Sequence, residues 1–153
     1  MRDGITIAVE RISDSIESEF WPLLEMHREE LATNKQLMVL SPDVARYAAL
    51  EESGVLFALV MRLGGKAIGY SVNFLSSHLH YSALVYAHND VLFLHPAYRS
   101  GDLGRQLLEA TEVESKERGA QMMIWHAKKG TALERILPRW GYGVQDILFS
   151  KEL

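Results

Sequence analysis

Val91-Leu92-Phe93-Leu94-His95-Pro96-Ala97-Tyr98-Arg99-Ser100-Gly101-Asp102-Leu103-Gly104-Arg105 is the stretch whose reading decides the fold. An apolar run, Val91 to Leu94, passes into a turn that holds Gly101. That turn opens a helical pattern with Leu103, Leu107, Ala110 and Thr111 on one side. A strand, a glycine turn and a helix in this order can aim several backbone N–H groups and the positive end of the helix at one point. Such a point is an anion site. The bare glycine pattern is also met if Gly101 is a simple turn residue and Gly104 a packing residue, so the surrounding elements have to decide.

Upstream, Ala83 to Leu94 reads as one long strand region. Val55 to Leu63 and Lys66 to Leu75 read as two strands joined by Gly64-Gly65, a dipeptide able to supply the positive φ of a tight hairpin. Ile5 to Val9 is a β-branched first strand. Between it and the hairpin, Ile16, Phe20, Leu23, Leu24 and Leu31 recur at helical spacing from Asp14 to Leu31, with Pro22 set to kink the segment or start a second helix. Ser41-Pro42-Asp43 predicts a helix over 42–52, with Ser41 as its cap and Gly54 closing it. Downstream, the helix from Asp102 to Arg118 stops at Gly119. A strand at Gln121 to Ala127, a helix near Ala132 to Trp140 and a last strand at Val144 to Ser150 complete the chain. The order β, α, α, β, β, β, α, β, α, β predicts an α+β fold whose sheet mixes antiparallel hairpins with parallel crossovers.

At 153 residues with 48% hydrophobic and 24% charged, the chain fits one domain, 1–153. No cysteine is present, which excludes disulfide scaffolds, thiolate zinc sites and an enzyme-thiol intermediate. A formal charge of -4 without a basic block removes the electrostatic footprint of nucleic-acid binding. The longest apolar run, Val55 to Met61, falls far short of the roughly 20 residues that span a bilayer, and the first residues carry no apolar stretch of the length a signal peptide needs, so none is expected. No membrane partner is expected, and a cytoplasmic location is.

The element order, the Ile68-Gly69 pair in the second hairpin strand, the strand-turn-helix of 91–105 and Trp140-Gly141-Tyr142 before the last strand together resemble the Gcn5-related N-acetyltransferases. His80-Tyr81 and Asn89-Asp90 look most like phage- or prophage-encoded members. The resemblance implies a mixed, mostly antiparallel sheet with a splayed strand before the turn, acetyl-CoA as co-substrate, an amine acceptor of small-molecule or protein origin, and a possible homodimer. In that family the turn reads Gln or Arg, two residues, Gly, one residue, then Gly or Ala. Arg99 and Gly104 match its ends, while Asp102 stands where the inner glycine is usual and must point away from a pyrophosphate or cap the helix. Carried over, Leu92 and Leu94 offer main-chain groups to the acetyl carbonyl and pantetheine arm. Ser100, Gly101, Asp102, Leu103, Gly104 and Arg105 offer amides to the pyrophosphate, and the Arg105 guanidinium a contact to a phosphate.

Transfer to an amine needs a base to take the proton lost as nitrogen attacks. His88 holds the position where some members of the family carry an acid, and a strand period of 2 places Asp90 on the same face to orient it. The tyrosine that often protonates the leaving thiolate is replaced by Leu137, and the asparagine near that helix's start by Gly130. Tyr98, Tyr142 and water remain as donors. His78, His80 and His88 lack a metal-ligand spacing, so no metal is expected. Glu17, Glu19, Glu25, Glu29 and Glu30 could steer a cationic amine or form a solvated face. The leading reading is direct transfer of an acetyl group from acetyl-CoA. Its rivals are a non-catalytic CoA-binding or regulatory module, and an interaction protein that has lost the cofactor.

Overall fold

The computed structural model describes residues 4–153. Five strands form one sheet in the order β1 (Ile5–Val9), β2 (Leu56–Leu63), β3 (Lys66–Ser77), β4 (Val85–Leu94), β5 (Met122–Ile124). The first three pairings are antiparallel and β4 with β5 is parallel. Four helices flank it: α1 (Trp21–Leu31), α2 (Val44–Glu52), α3 (Leu103–Glu117) and the short α4 (Ala132–Ile136), which tightens into a 3-10 turn at Leu137–Trp140.

The sheet is buried on both faces, which explains the unbroken apolar run in β2. Leu56, Ala58 and Val60 point with Tyr70, Val72 and Phe93 toward Ile16, Phe20 and Leu23 of the 12–31 region. Phe57, Leu59 and Met61 point with Ile68 and Leu94 toward Leu103 and Leu107 of α3. Those two leucines, 2% and 1% exposed, each contribute about 1.5–3 kcal/mol by burial and hold the start of α3 against the sheet.

Local signals resolve as follows. Pro22 lies in the first turn of α1 and starts that helix, with a separate 3-10 turn at Ser13–Ser15 before it. The cap of α2 is Asp43, whose carboxylate accepts from Arg46 N–H at 3.0 Å, two residues beyond the expected Ser41. Gly64 and Gly65 adopt φ of 55° and 85° in the hairpin. The strand expected over 121–127 is confined to Met122–Ile124.

The last strand expected at Val144 to Ser150 does not form. That segment joins no ladder, and Val144, Ile147, Leu148 and Phe149 are 74–88% exposed. An apolar β-prone run becomes a strand only where an edge can receive its N–H and C=O groups. Here β5 has only three residues to present.

Candidate active site

The parallel ladder between β4 and β5 spans Tyr86↔Met122, Ala87↔Met123 and His88↔Ile124, then stops. From Asn89 to Leu94, β4 continues with β3 alone. The sheet thus opens into a wedge with His88 at its apex and the 95–102 turn at its mouth. This is the splayed strand expected from the sequence.

A buried polar cluster sets the opening. Val72 pairs with Val91 and Asn73 with Asn89, so Asp90 is an extra residue, a β-bulge. Asn89, 1% exposed, turns its amide inward. Its Nδ2 lies 3.0 Å from Asn73 Oδ1, 3.0 Å from Val91 O and 3.2 Å from Val72 O, holding the carbonyls around the bulge. Ser71 joins in, and the Thr111 hydroxyl of α3 lies 3.0 Å from Ser71 Oγ while it donates to Leu107 O within its own helix at 2.8 Å. Buried polar groups tied together this way cost little only when satisfied, and these are.

Gly69 is the second device. A Cβ there would sit 2.8 Å from Phe93 O and 3.0 Å from Leu94 Cδ1, so only glycine lets β3 approach β4 at the mouth of the wedge.

Leu92 and Leu94 direct their side chains to the α3 side of the sheet, leaving their strand edge without a β5 partner. The Leu94 carbonyl accepts from Arg99 Nε at 2.8 Å. The Arg99 guanidinium itself is committed: it grips both Glu30 oxygens, at 2.7 and 2.6 Å, and lies over the Phe93 ring at 5.4 Å. Arg99 therefore latches the turn to the end of α1.

Gly101 takes φ 93°, which favours glycine, and Ser100 and Gly101 are exposed. Asp102 makes no side-chain cap at α3, and its carboxylate accepts instead from Gln106 Nε2 at 2.9 Å. Leu103 is buried, and Gly104 has open space around its Cβ position. Arg105 binds Glu109 at 2.6 Å and lies 5.8 Å from the Trp140 ring centroid, along the helix and away from the turn. First-turn amides of a fifteen-residue helix, open space at Gly104 and a glycine turn fit a pyrophosphate.

At the apex His88 is half-buried and stacked on Phe74, with centroids 5.2 Å apart. Burial lowers its pKa from the ordinary value near 6.5, the neighbouring His126 lowers it further, and the charge of Asp90 raises it. A neutral imidazole near pH 7 is the form that accepts a proton. Asp90, exposed at the bulge, acts on it by charge, and it also helps burial raise the phenol of Tyr47 in α2 to about 12.

Tyr142 donates its hydroxyl proton to Glu112 of α3, and burial with that carboxylate pushes the phenol pKa well up. Tyr98 stands against His95, with ring centroids 5.4 Å apart. Leu137, 8% exposed, is core. Just before α1 Glu19 binds Arg62, and on α1 Glu29 binds Lys35 and Glu30 binds Arg99, so three of the five acids are neutralised by partners. Among the described residues no cluster of three or more His, Asp or Glu is placed to hold a metal ion. No described helix is long and apolar enough to cross a membrane.

Two histidines carry no sequence signal of their own, and the pairing of Glu30 with Arg99 has none either. His126, just past β5, meets His88 edge-on at 6.0 Å. His27 of α1 stacks on Phe93 at 5.1 Å and hydrogen-bonds the Tyr70 hydroxyl at 3.0 Å, and Glu30 is the partner of Arg99. Each meets the site through separations in sequence too long for any local pattern to reveal.

Comparison with known proteins agrees with this geometry. The family model described as "Acetyltransferase (GNAT) family" matches residues 14–141, and the chain belongs to that family. It is accordingly an N-acetyltransferase by family and fold. A search of curated proteins finds no match. Among solved structures, a ribosomal-protein-alanine N-acetyltransferase from Brucella melitensis biovar Abortus 2308 is 19% identical, with TM-score 0.67 over 97% of this chain and 96% of that one. An aminoglycoside acetyltransferase from an uncultured soil metagenomic sample, in complex with sisomicin, is 17% identical, with TM-score 0.75 over 99% and 97%. A second, HMB0005, also from an uncultured soil metagenomic sample, is 15% identical, with TM-score 0.77 over 97% and 98%. At these identities the likeness is one of fold.

Proposed function

We propose that the whole chain, 1–153, acts as one domain that moves an acetyl group from acetyl-CoA directly to a primary amine. The observation that carries this reading is the opening of the sheet between β4 and β5 from His88 onward, next to the N-terminus of α3. The pyrophosphate lies at the amides of Ser100, Gly101, Asp102, Leu103, Gly104 and Arg105. Arg99 shapes the turn through Glu30, and the pantetheine arm runs along the free edge of Leu94 and Leu92.

The thioester carbonyl is polarised by a backbone N–H at Leu92. The amine nitrogen attacks that carbon, His88 takes the proton the nitrogen loses, and Asp90 supports the imidazolium by charge. The C–S bond then breaks, and CoA leaves as a thiolate that solvent protonates. A thiol with a pKa near 8.5 departs without an enzyme acid. That matters here, because Leu137 is buried and the Tyr142 proton is engaged by Glu112. The amine class of the acceptor is supported by the relatives, whose names specify an alanine of a ribosomal protein and aminoglycosides.

The same buried Leu137 favours a second reading, a module that binds CoA without turnover. Two measurements separate the possibilities. Acetyl-CoA at a hundred times its Kd should stabilise the fold by about 2.7 kcal/mol in a thermal-shift titration. Gly104→Glu should abolish that shift without unfolding the protein, because its Cβ meets nothing within 4 Å while its charge sits beside the pyrophosphate. If Gly104→Glu binds as well as the parent, the anion site is elsewhere. If acetyl-CoA binds but no amine releases CoA, the second reading replaces the first.

A further inference from the structure

From the apex of the wedge a row of rings leads away from the anion turn. His88 stands 6.1 Å from Tyr86, Tyr86 stands 6.1 Å from His78, and His78 stands 4.7 Å from Tyr81. Phe74 backs His88 at 5.2 Å. The loop that presents the far end of the row is closed on itself. His78 N–H donates to Leu84 O at 2.9 Å, Leu84 N–H to Tyr81 O at 2.8 Å, and His80 N–H to His78 Nδ1 at 3.1 Å. Tyr81 is nevertheless 67% exposed, and an open groove bounded by His80, Tyr81, Leu84 and Gln121 runs beside it. A loop so tied, with its largest ring left in water, is built to present that ring.

The chemistry of the row is specific. Flat π faces favour flat partners in offset or edge contact, and phenol faces also attract an ammonium group. No Asp or Glu occurs between Glu52 and Asp90, so the row offers no carboxylate of its own. Glu19 before α1 and Glu29 and Glu30 on it are bound by Arg62, Lys35 and Arg99. An acceptor with several ammonium groups would find Asp90 at the apex and no carboxylate within the row itself.

We propose that this row is the acceptor subsite and that it takes a primary amine carried on a short alkyl arm of a flat aromatic ring, with the nitrogen at His88 and the ring against Tyr86, His78 and Tyr81. The proposal rests on the reading of His88 as the place where transfer occurs. The step from His88 to Tyr86 is one that a two-carbon arm bridges.

The test uses 2-phenylethylamine, ethylamine and spermidine with the full chain. In the presence of CoA, 2-phenylethylamine should shift the imidazole resonances of His78 and His88 in NMR spectra. Tyr81→Ala, a change at an exposed side chain, should raise KM for 2-phenylethylamine roughly two- to tenfold, the worth of one aromatic contact. It should leave KM for ethylamine and the acetyl-CoA thermal shift unchanged. The proposal is overturned if spermidine shifts those resonances and 2-phenylethylamine does not, or if Tyr81→Ala moves the KM of both monoamines equally. If 2-phenylethylamine binds the row but no amine releases CoA, the subsite stands and the transfer reading falls.

Discussion

His88 shows how one residue becomes reactive through its surroundings. Its spacing from Asp90 suggests a shared strand face, but the bulge at Asp90 breaks the simple alternation. What reaches the imidazole is the charge of Asp90, working against burial and His126. His88→Ala should therefore lower turnover by roughly 10²- to 10⁴-fold with acetyl-CoA affinity retained. Asp90→Asn removes the one influence that raises the imidazole pKa. The acid limb of its kcat/KM profile should move to lower pH, with a smaller loss of rate. A His88→Ala enzyme whose pH profile matches the parent would remove His88 from the mechanism.

At the scale of elements, the wedge depends on how closely β3 can follow β4. Gly69 permits that approach at the mouth, and the Asn89 amide holds the bulge nearer the apex. Gly69→Ala would press a methyl group to 2.8 Å from a backbone oxygen, which the strand can relieve only by moving. The expected cost is about 1–3 kcal/mol in a denaturant titration, together with weaker acetyl-CoA binding, because Leu94 and the turn after it move with the strand. An unchanged midpoint would mean that the close approach of these strands is not needed. Gly104 gives the contrast, since it faces open space and its replacement should tell on the ligand and not on the fold.

Across the whole molecule, pH acts through two imidazoles whose pKa folding lowers. Burial lowers the pKa of His27, the charge of Glu30 raises it, and Arg99 and Lys128 lower it; burial lowers His88 as well. The unfolded chain then binds more protons than the folded one once pH drops below the ordinary histidine value of about 6.5, so stability falls as pH falls through that range. The carboxylates do not confound this window. Glu19 and Glu30, lowered mainly by hydrogen bonds from Arg62 and Arg99, keep their contribution until pH falls below the usual carboxylate range. The midpoint of denaturation should accordingly drop between pH 7 and pH 5. The slope should be shallower in the double variant His27→Phe, Tyr70→Phe, which keeps the packing and removes the hydrogen-bonded pair. A midpoint that is flat between those pH values would contradict the assignment.

The sequence by itself determined what depends on neighbours along the chain. The hairpin at Gly64-Gly65, the helix after Asp102 and the glycine turn at Gly101 are local choices of φ and of apolar period, and they were legible as such. So was the family, because the order of elements and the turn between β4 and α3 are both linear features. The site residues named from the strand and turn lie along one continuous stretch for the same reason. Tertiary structure decided whatever needs a partner from elsewhere. The apolar run Val144 to Ser150 has the composition of a strand and remains outside the sheet, because pairing requires an edge and β5 offers three residues. Arg99 stands at the start of the turn motif, and its guanidinium is held by Glu30, 69 residues away. Burial and His126 lower the pKa of His88, and the opening beside it goes with Asn89 folding inward beneath a bulge. Local propensity sets which elements can form; where charge, burial and unpaired edges meet is set only when the chain closes on itself.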